Sequence, residues 1–239
     1  MRVHVVHAHN RNLYLDDIEA MHRHRHQVFA EQRGWKALQS PDGLDIDEFD
    51  TDAATYLIAI APDGAVVGSS RLIPSWRPTM IKLLFPEYCA GEVPVGPGIW
   101  EWTRHATPGL GFTKAYNIEV QIVLNLAVLE FARLRGIESF IGILECALLP
   151  YTVELGWNSM PMGPPRRYGE GQAVAVHSAV KPGHLEALRK KVGVSEAVLV
   201  EAPGFAGARG RAARRLLEQV SSAGEAELAR LAAPLAREA

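Results

Sequence analysis

The sequence predicts an α/β sandwich, with helices laid on the faces of one sheet. Three observations lead there. Short β-rich runs alternate with helical runs along the first 182 residues. The composition, 48% hydrophobic and 22% charged over 239 residues, is that of a globular chain able to bury a proper core. Beyond Pro182 the alternation gives way to Ala-, Arg-, Leu- and Glu-rich segments.

The elements follow in order. Residues 2–7 alternate around Val3, Val5 and Val6 as a strand does. Leu15, Ile18, Met21, Val28 and Phe29 recur at three- and four-residue steps, which predicts a helix with Gly34 just past its end. A polar, acidic loop covers residues 40–52. Runs over 56–61 and 65–73 read as a hairpin joined by Pro62-Asp63-Gly64. Pro74, Pro78, Pro86, Pro94 and Pro97 make residues 74–98 mostly loop, with a short helix near Leu83. Ile99–His105 reads as a strand. Thr107-Pro108-Gly109-Leu110-Gly111 is a turn into a long apolar helix over 114–135, closed by Gly136. A buried strand is expected over 137–144, a short helix over 147–155 ended by Gly156, and a last strand over 172–180. The segments 184–192 and 209–235 read as surface helices, with Gly204, Gly207 and Gly210 between them. The expected division is a domain over 1–182 and a helical C-terminal extension over 183–239, whose second helix should lie peripheral to any active site.

Composition also limits function. Lys and Arg number 25 against 27 Asp and Glu, a formal charge of −2, so no global basic excess steers the chain to nucleic acid. Cys89 and Cys146 are too few for a disulfide framework and show no C-x-x-C spacing, which suits a reducing cytoplasm. The N-terminal residues lack an apolar signal core, and no run approaches the ~20 apolar residues of a membrane span. The expected location is cytoplasmic.

Arg25 is the first residue out of pattern. It shares the helical stripe of Ile18, Met21, Val28 and Phe29, so its guanidinium points inward unless the stem snorkels to solvent. Asp45, Asp47, Asp50 and Asp52 offer partners. As a calcium loop starting at Asp45, the segment would carry Asp50 where Gly is needed and Tyr56 where Glu is needed, so that reading fails. His22, His24 and His26 alternate with arginines; only His22 and His26 share a face, and no metal site is expected. No G-x-S-x-G elbow or Walker loop occurs.

Arg25-His26-Gln27-Val28-Phe29, Gly34-Trp35, Asp45-x-Asp47-x-x-Asp50, Arg71 and Trp100-Glu101-x-x-Arg104 form an ordered series. Over about three quarters of the chain, that series resembles the acyl-homoserine-lactone synthases, the autoinducer synthases of bacterial quorum sensing. The resemblance implies a GNAT-like three-layer α/β/α sandwich around a mixed, splayed sheet. It implies acylation of the α-amine of S-adenosylmethionine (SAM) from an acyl thioester, then lactonisation with release of methylthioadenosine. It implies no cofactor beyond the two substrates, SAM and the acyl thioester. The two alternatives are a GNAT-like N-acyltransferase acting on another amine and a non-catalytic binding module.

On this resemblance Glu101, Asp45, Arg104 and Arg25 are the catalytic candidates. Phe29, Trp35, Asp47, Asp50, Arg71, Thr103 and Ile143 are the substrate-binding ones. The acids can hold the cationic end of SAM, the arginines can pair with anions or orient the acids, and Trp35 can lie against a sulfonium or an adenine. Deprotonating the amine calls for a base, Asp45 or Glu101. Two departures stand out. Asp45 occupies a position where the family often has Glu. Gly142-Ile143-Leu144-Glu145 lacks the Thr carried by many synthases of 3-oxo products, which speaks against a 3-oxo chain. The 107–111 turn resembles part of the GNAT pyrophosphate loop, or is a plain strand-to-helix turn. Asn10-Arg11-Asn12-Leu13-Tyr14 resembles the subgroup using coenzyme A donors with branched or aryl chains, so acyl-CoA is favoured over acyl carrier protein. In an unbroken strand Glu101 and Arg104 face opposite sides. For both to serve one site, the strand must bulge or end near Thr103.

Overall fold

The computed structural model describes residues 1–107, 116–169 and 171–202, with backbone alone over 116–119. The strands are β1 (Arg2–Val6), β2 (Thr55–Ile60), β3 (Val66–Pro74), β4 (Ile99–Ala106), β5 (Ser139–Glu145), β6 (Asn158–Pro161), β7 (Arg166–Tyr168), β8 (Gly171–Ala179) and β9 (Leu199–Val200). The helices are α1 (Leu15–His26), α2 (Met80–Leu83), α3 (Tyr116–Arg135), α4 (Leu149–Glu154) and α5 (His184–Val192). The strands join one sheet in the order β6-β8-β5-β4-β3-β2-β1-β9, and β7 also pairs with β8. Neighbours are antiparallel except β4 with β5 and β1 with β9.

Alternation of side chains along the strands builds two cores. On one face Val3, Val5, Leu57 and Leu72 pack under α3 and α5, with Leu124, Val128, Phe131 and Leu185. On the other, Ile58, Tyr56 and Ile73 pack under α1 with Met21, Leu13 and Tyr14. Ile141 and Ala175 meet Ile81 of α2 on that same side. This is the three-layer α/β/α sandwich around a mixed sheet that the sequence implied.

α1 begins with Asp16 and Asp17 and ends with Arg23, His24, Arg25 and His26, charges that complement its dipole. The expected helix does continue past Val28, but not as an α-helix. Residues 27–32 wind as a π-helix, closed by the Arg33 amide on the Val28 carbonyl at 3.1 Å. The wider turn lets three consecutive residues, Val28, Phe29 and Ala30, all be buried. Gly34 follows at φ +68°, a conformation that suits only glycine at low cost.

The composition change near residue 182 is not a break in packing. α5 sets Leu185 and Leu188 into the core beneath α3, and β9 pairs with β1 through Val3–Leu199 and His4–Val200. The buried Glu130 carboxylate of α3 accepts the amides of Val198 and Leu199 and meets Arg189 at 2.7 Å. Residues 183–202 therefore belong with the sheet. β6, β7 and β9 escape sequence pattern because they are short and carry little alternation. Most of the 107–111 turn and the whole of segment 209–235 lie outside the described residues. No helix among the described residues is long and apolar enough to cross a membrane.

Candidate active site

Three arginines and three aspartates close a six-membered ring of ion pairs on the α1–α2 face of the sheet. Arg25 reaches Asp45 through Nε and Asp50 through Nη1, both at 2.9 Å. Arg71 bridges Asp50 (2.9 Å) and Asp47 (2.5 Å). Arg104 bridges Asp47 and Asp45, both at 2.9 Å. Each cation thus spans two carboxylates and each carboxylate two cations, so the buried charges compensate one another. Exposure decides which members a ligand can meet. Arg25 and Arg71 are 0% exposed, Asp45 1% and Asp50 3%, whereas Arg104 is 7% and Asp47 13% exposed.

Local structure brings each member in. Helical phase turns Arg25 inward, as its stripe predicted. The acidic loop is pinned to α1 at its start, because the Asp45 amide donates to the His22 carbonyl (3.1 Å) and His22 Nδ1 donates to the Asp45 carbonyl (2.7 Å). The loop then turns back on itself. The Asp47 amide donates to Asp50 Oδ2 and the Phe49 amide to Asp47 Oδ1, each at 2.9 Å, an Asx-type turn. Tyr56 donates its hydroxyl to Asp50 Oδ1, and Arg71 Nε donates to Thr103 Oγ1 at 3.2 Å.

Arg104 arrives by the expected break in alternation. Arg71 pairs with Thr103 and Ser69 with Ala106, so Arg104 and His105 together oppose Ser70 alone. Arg104 takes φ 49°, a left-handed conformation uncommon for a residue with a side chain. This bulge puts Thr103 and Arg104 on the same face and sends His105 to the other, where it meets Ser70 Oγ at 2.8 Å. Just before it, β4 stops pairing with β5. The ladder runs from Ile99–Ser139 to Glu101–Ile141 and ends, although both strands continue. Gly142 marks the last close approach, since a Cβ there would lie 2.6 Å from the Trp102 carbonyl oxygen. Beyond it a wedge opens between the strands.

Glu101 is fully buried at the head of that wedge, and its carboxylate caps α2. It accepts the Ile81 amide at 2.7 Å and the Met80 amide at 3.0 Å. Burial pushes its carboxyl up, and the two amides offset only part of that. The aspartates go the other way. Burial alone would raise Asp45 and Asp50, but Arg25 with Arg104, and Arg25 with Arg71, reverse this and hold both below the usual carboxylate range. The Met80 thioether lies 3.1 Å from Arg71 Nη2 and 3.6 Å from Arg104 Nη1, which links the cap to the ring.

Beside Arg104 stands an aromatic wall. Phe29 and Trp35 stack at 5.3 Å, and Arg104 lies over Phe29 at 5.7 Å. Tyr168 meets Trp35 edge-on at 5.9 Å and donates its hydroxyl to Glu145, which pairs with Arg33 at 3.0 Å. Ile143, half-buried on β5, faces the same side as Glu145.

Among the sequence candidates, Arg25, Asp45, Asp47, Asp50, Arg71 and Arg104 form the ring, Thr103 orients Arg71, and Phe29 with Trp35 forms the wall. Glu101 differs from expectation: it adjoins the ring through Met80 rather than facing an open pocket with Arg104, because α2 folds over it. The acids, too, are engaged with arginines rather than held open for a cation. Sequence reading missed Met80, Tyr56, Arg33, Glu145 and Tyr168. Gly34-Trp35 and the stretch ending at Glu145 were the available signals for two of them.

A family model described as autoinducer synthase matches residues 9–188. The isovaleryl-homoserine lactone synthase of Bradyrhizobium diazoefficiens is 33% identical over 202 residues, covering 84% of this chain and 90% of that one. The acyl-homoserine-lactone synthase of Pseudomonas chlororaphis is 31% identical over 199 residues, 81% of this chain and 96% of its own. A solved CoA-dependent acyl-homoserine lactone synthase with SAM and isopentyl-CoA superposes with a TM-score of 0.78 at 30% identity, covering 90% of this chain and 97% of that chain. A family match over most of the chain, relatives aligned nearly end to end and a superposable solved structure agree: the chain belongs to the autoinducer synthase family.

Proposed function

We propose that this chain is an acyl-homoserine-lactone synthase that acylates the α-amine of SAM from an acyl-CoA, after which the acylated intermediate lactonises and releases methylthioadenosine. The observation that carries the reading is the bulge at Thr103–Arg104. It sets an arginine of the ring on the substrate face at the point where β4 leaves β5. The thioester arm runs in the wedge, where no strand among the described residues pairs with the β4 edge and its amides can meet the developing oxyanion.

SAM rests against Phe29 and Trp35 and touches the ring through its two accessible members, Asp47 and Arg104. Arg25, Arg71, Asp45, Asp50 and Thr103 are positioning residues, which hold those two in place. A free α-amine has a pKa near ~8, so it must lose a proton before attack. Asp45, clamped by two guanidiniums, is a poor acceptor. Glu101, whose carboxyl burial pushes up, suits the role, with the proton reaching it through water as the α2 cap loosens. Ile143 offers the acyl chain an apolar side chain with no hydroxyl, which suits a donor without a 3-oxo group. The similarity to the isovaleryl-homoserine lactone synthase and to the CoA-dependent structure with isopentyl-CoA supports a short branched acyl-CoA.

Purified chain incubated with SAM and a panel of isovaleryl-, straight-chain and aryl-CoA, each also as the acyl carrier protein thioester, tests this by mass spectrometry. The expected products are one acyl-homoserine lactone and methylthioadenosine, formed fastest from a CoA donor. Acylation of other amines with no consumption of SAM overturns the reading.

A further inference from the structure

Arg33 is the guanidinium the ring leaves out. The ring arginines each span two aspartates, so their charge is already met. Among the described residues Arg33 has one ionic partner: its Nη1 donates to Glu145 Oε1 at 3.0 Å. Its Nε is buried with no acceptor among the described residues, although a guanidinium carries five N–H donors in a fixed fork. The group lies over both rings of the aromatic wall, 5.6 Å from Trp35 and 5.7 Å from Phe29. His105 is no rival cation, because burial and then the Arg33 charge hold its imidazole down to about 4.

The substrate of the proposed reaction brings one carboxylate, on the carbon that bears the reacting amine. A carboxylate drawn beside this wall needs a paired cation, and the fork of an arginine fits it with two parallel bonds. Among the described arginines of the site, Arg33 is the one with a buried nitrogen that no acceptor meets.

We propose that Arg33 binds the α-carboxylate of SAM through Nε and an Nη, and that Glu145 holds that place as an internal carboxylate until substrate displaces it. The geometry suits the exchange. Glu145 closes β5 on the far side of the wedge from Arg104, and Tyr168 donates to the same oxygen that Arg33 holds, so the anion keeps a partner when Arg33 lets go. A carboxylate on Arg33 then sets the adjacent amine at the wedge, facing the thioester. The inference rests on SAM being the substrate.

Calorimetric binding to the full chain separates the possibilities, with three ligands: SAM, decarboxylated SAM, which keeps sulfonium and amine, and methylthioadenosine, which lacks both amine and carboxylate. Arg33→Met should weaken SAM about tenfold or more, as loss of charged hydrogen bonds does. It should leave the other two ligands within about twofold. Arg33→Lys should fall between, since it restores charge without the fork. Glu145→Gln should tighten SAM several-fold and leave methylthioadenosine unchanged. Equal weakening of all three ligands by Arg33→Met makes Arg33 a mere prop for Trp35 and overturns the proposal, as does unchanged SAM binding. A wild-type chain that binds none of the three instead overturns the functional reading itself.

Discussion

Replacing Arg25 by Met tests whether the ring is a compensated unit. The substitution keeps a stem of similar length and removes a guanidinium that is 0% exposed and makes three hydrogen bonds, one to Asp45 and two to Asp50. Asp45 keeps Arg104, and Asp50 keeps Arg71 and Tyr56, but the buried ring then carries one net negative charge. Breaking a buried pair from one side costs about 3–5 kcal/mol. At the ~2–4 °C per kcal/mol typical of chains this size, Tm should fall by about 6–20 °C. The pH dependence is the sharper test. In the wild type both carboxyls sit below their unfolded values, so their stabilisation is present above the unfolded pKa near 3.8 and lost only as pH falls through the lower folded values. Without Arg25, burial raises both carboxyls and they can take up protons at milder acidity. The deficit should therefore be largest near pH 7 and narrow toward pH 5. Urea unfolding followed by the fluorescence of the five tryptophans measures it at each pH. A loss under about 1 kcal/mol at pH 7, or a deficit independent of pH, would refute the compensated ring.

Other substitutions probe the wedge, the base and the sheet edge. Glu101→Gln should cut kcat about 100-fold or more and abolish the rise of kcat with pH that deprotonation of a raised carboxyl produces; a retained rise removes Glu101 as the acceptor. Gly142→Ala places a Cβ 2.6 Å from the Trp102 carbonyl oxygen, so β4 and β5 must part, at about 1–3 kcal/mol and with a raised KM for the acyl donor; unchanged stability in urea would contradict the close approach. Glu130→Gln leaves Arg189 without its anion, and amide exchange at Val198 and Leu199 should quicken while that in β3 stays slow; equal acceleration in both strands would mean the edge does not open on its own.

The site was more legible than the fold's edges, for physical reasons. Arg25 stood out because a charge on an apolar helical stripe needs a partner, and the acids supplied one within twenty-five residues of sequence. The bulge followed from a conflict between strand alternation and two residues needed together. The details that escaped depend on contacts between distant segments. Glu101 could be placed beside the site but not beneath α2, because that cap uses backbone amides, which sequence pattern does not encode. Arg33 and Glu145 are 112 residues apart and each alone looks like a surface charge. β9 has two residues, too few to show a period, and exists because β1 has an edge to fill.

That short strand carries a consequence for how the chain reaches its native state. β1 precedes its outer partner by almost two hundred residues, and its outer edge pairs only when Leu199 and Val200 reach Val3 and His4. Contacts spanning almost two hundred residues form late, since a long loop must close before any bond repays it. Until then the apolar Val3, Val5 and Val6 belong to an open edge able to capture a second nascent sheet. Closing that edge, with Glu130 ready to receive the incoming amides, should be the slow final step of folding and the one most prone to misassociation at high expression.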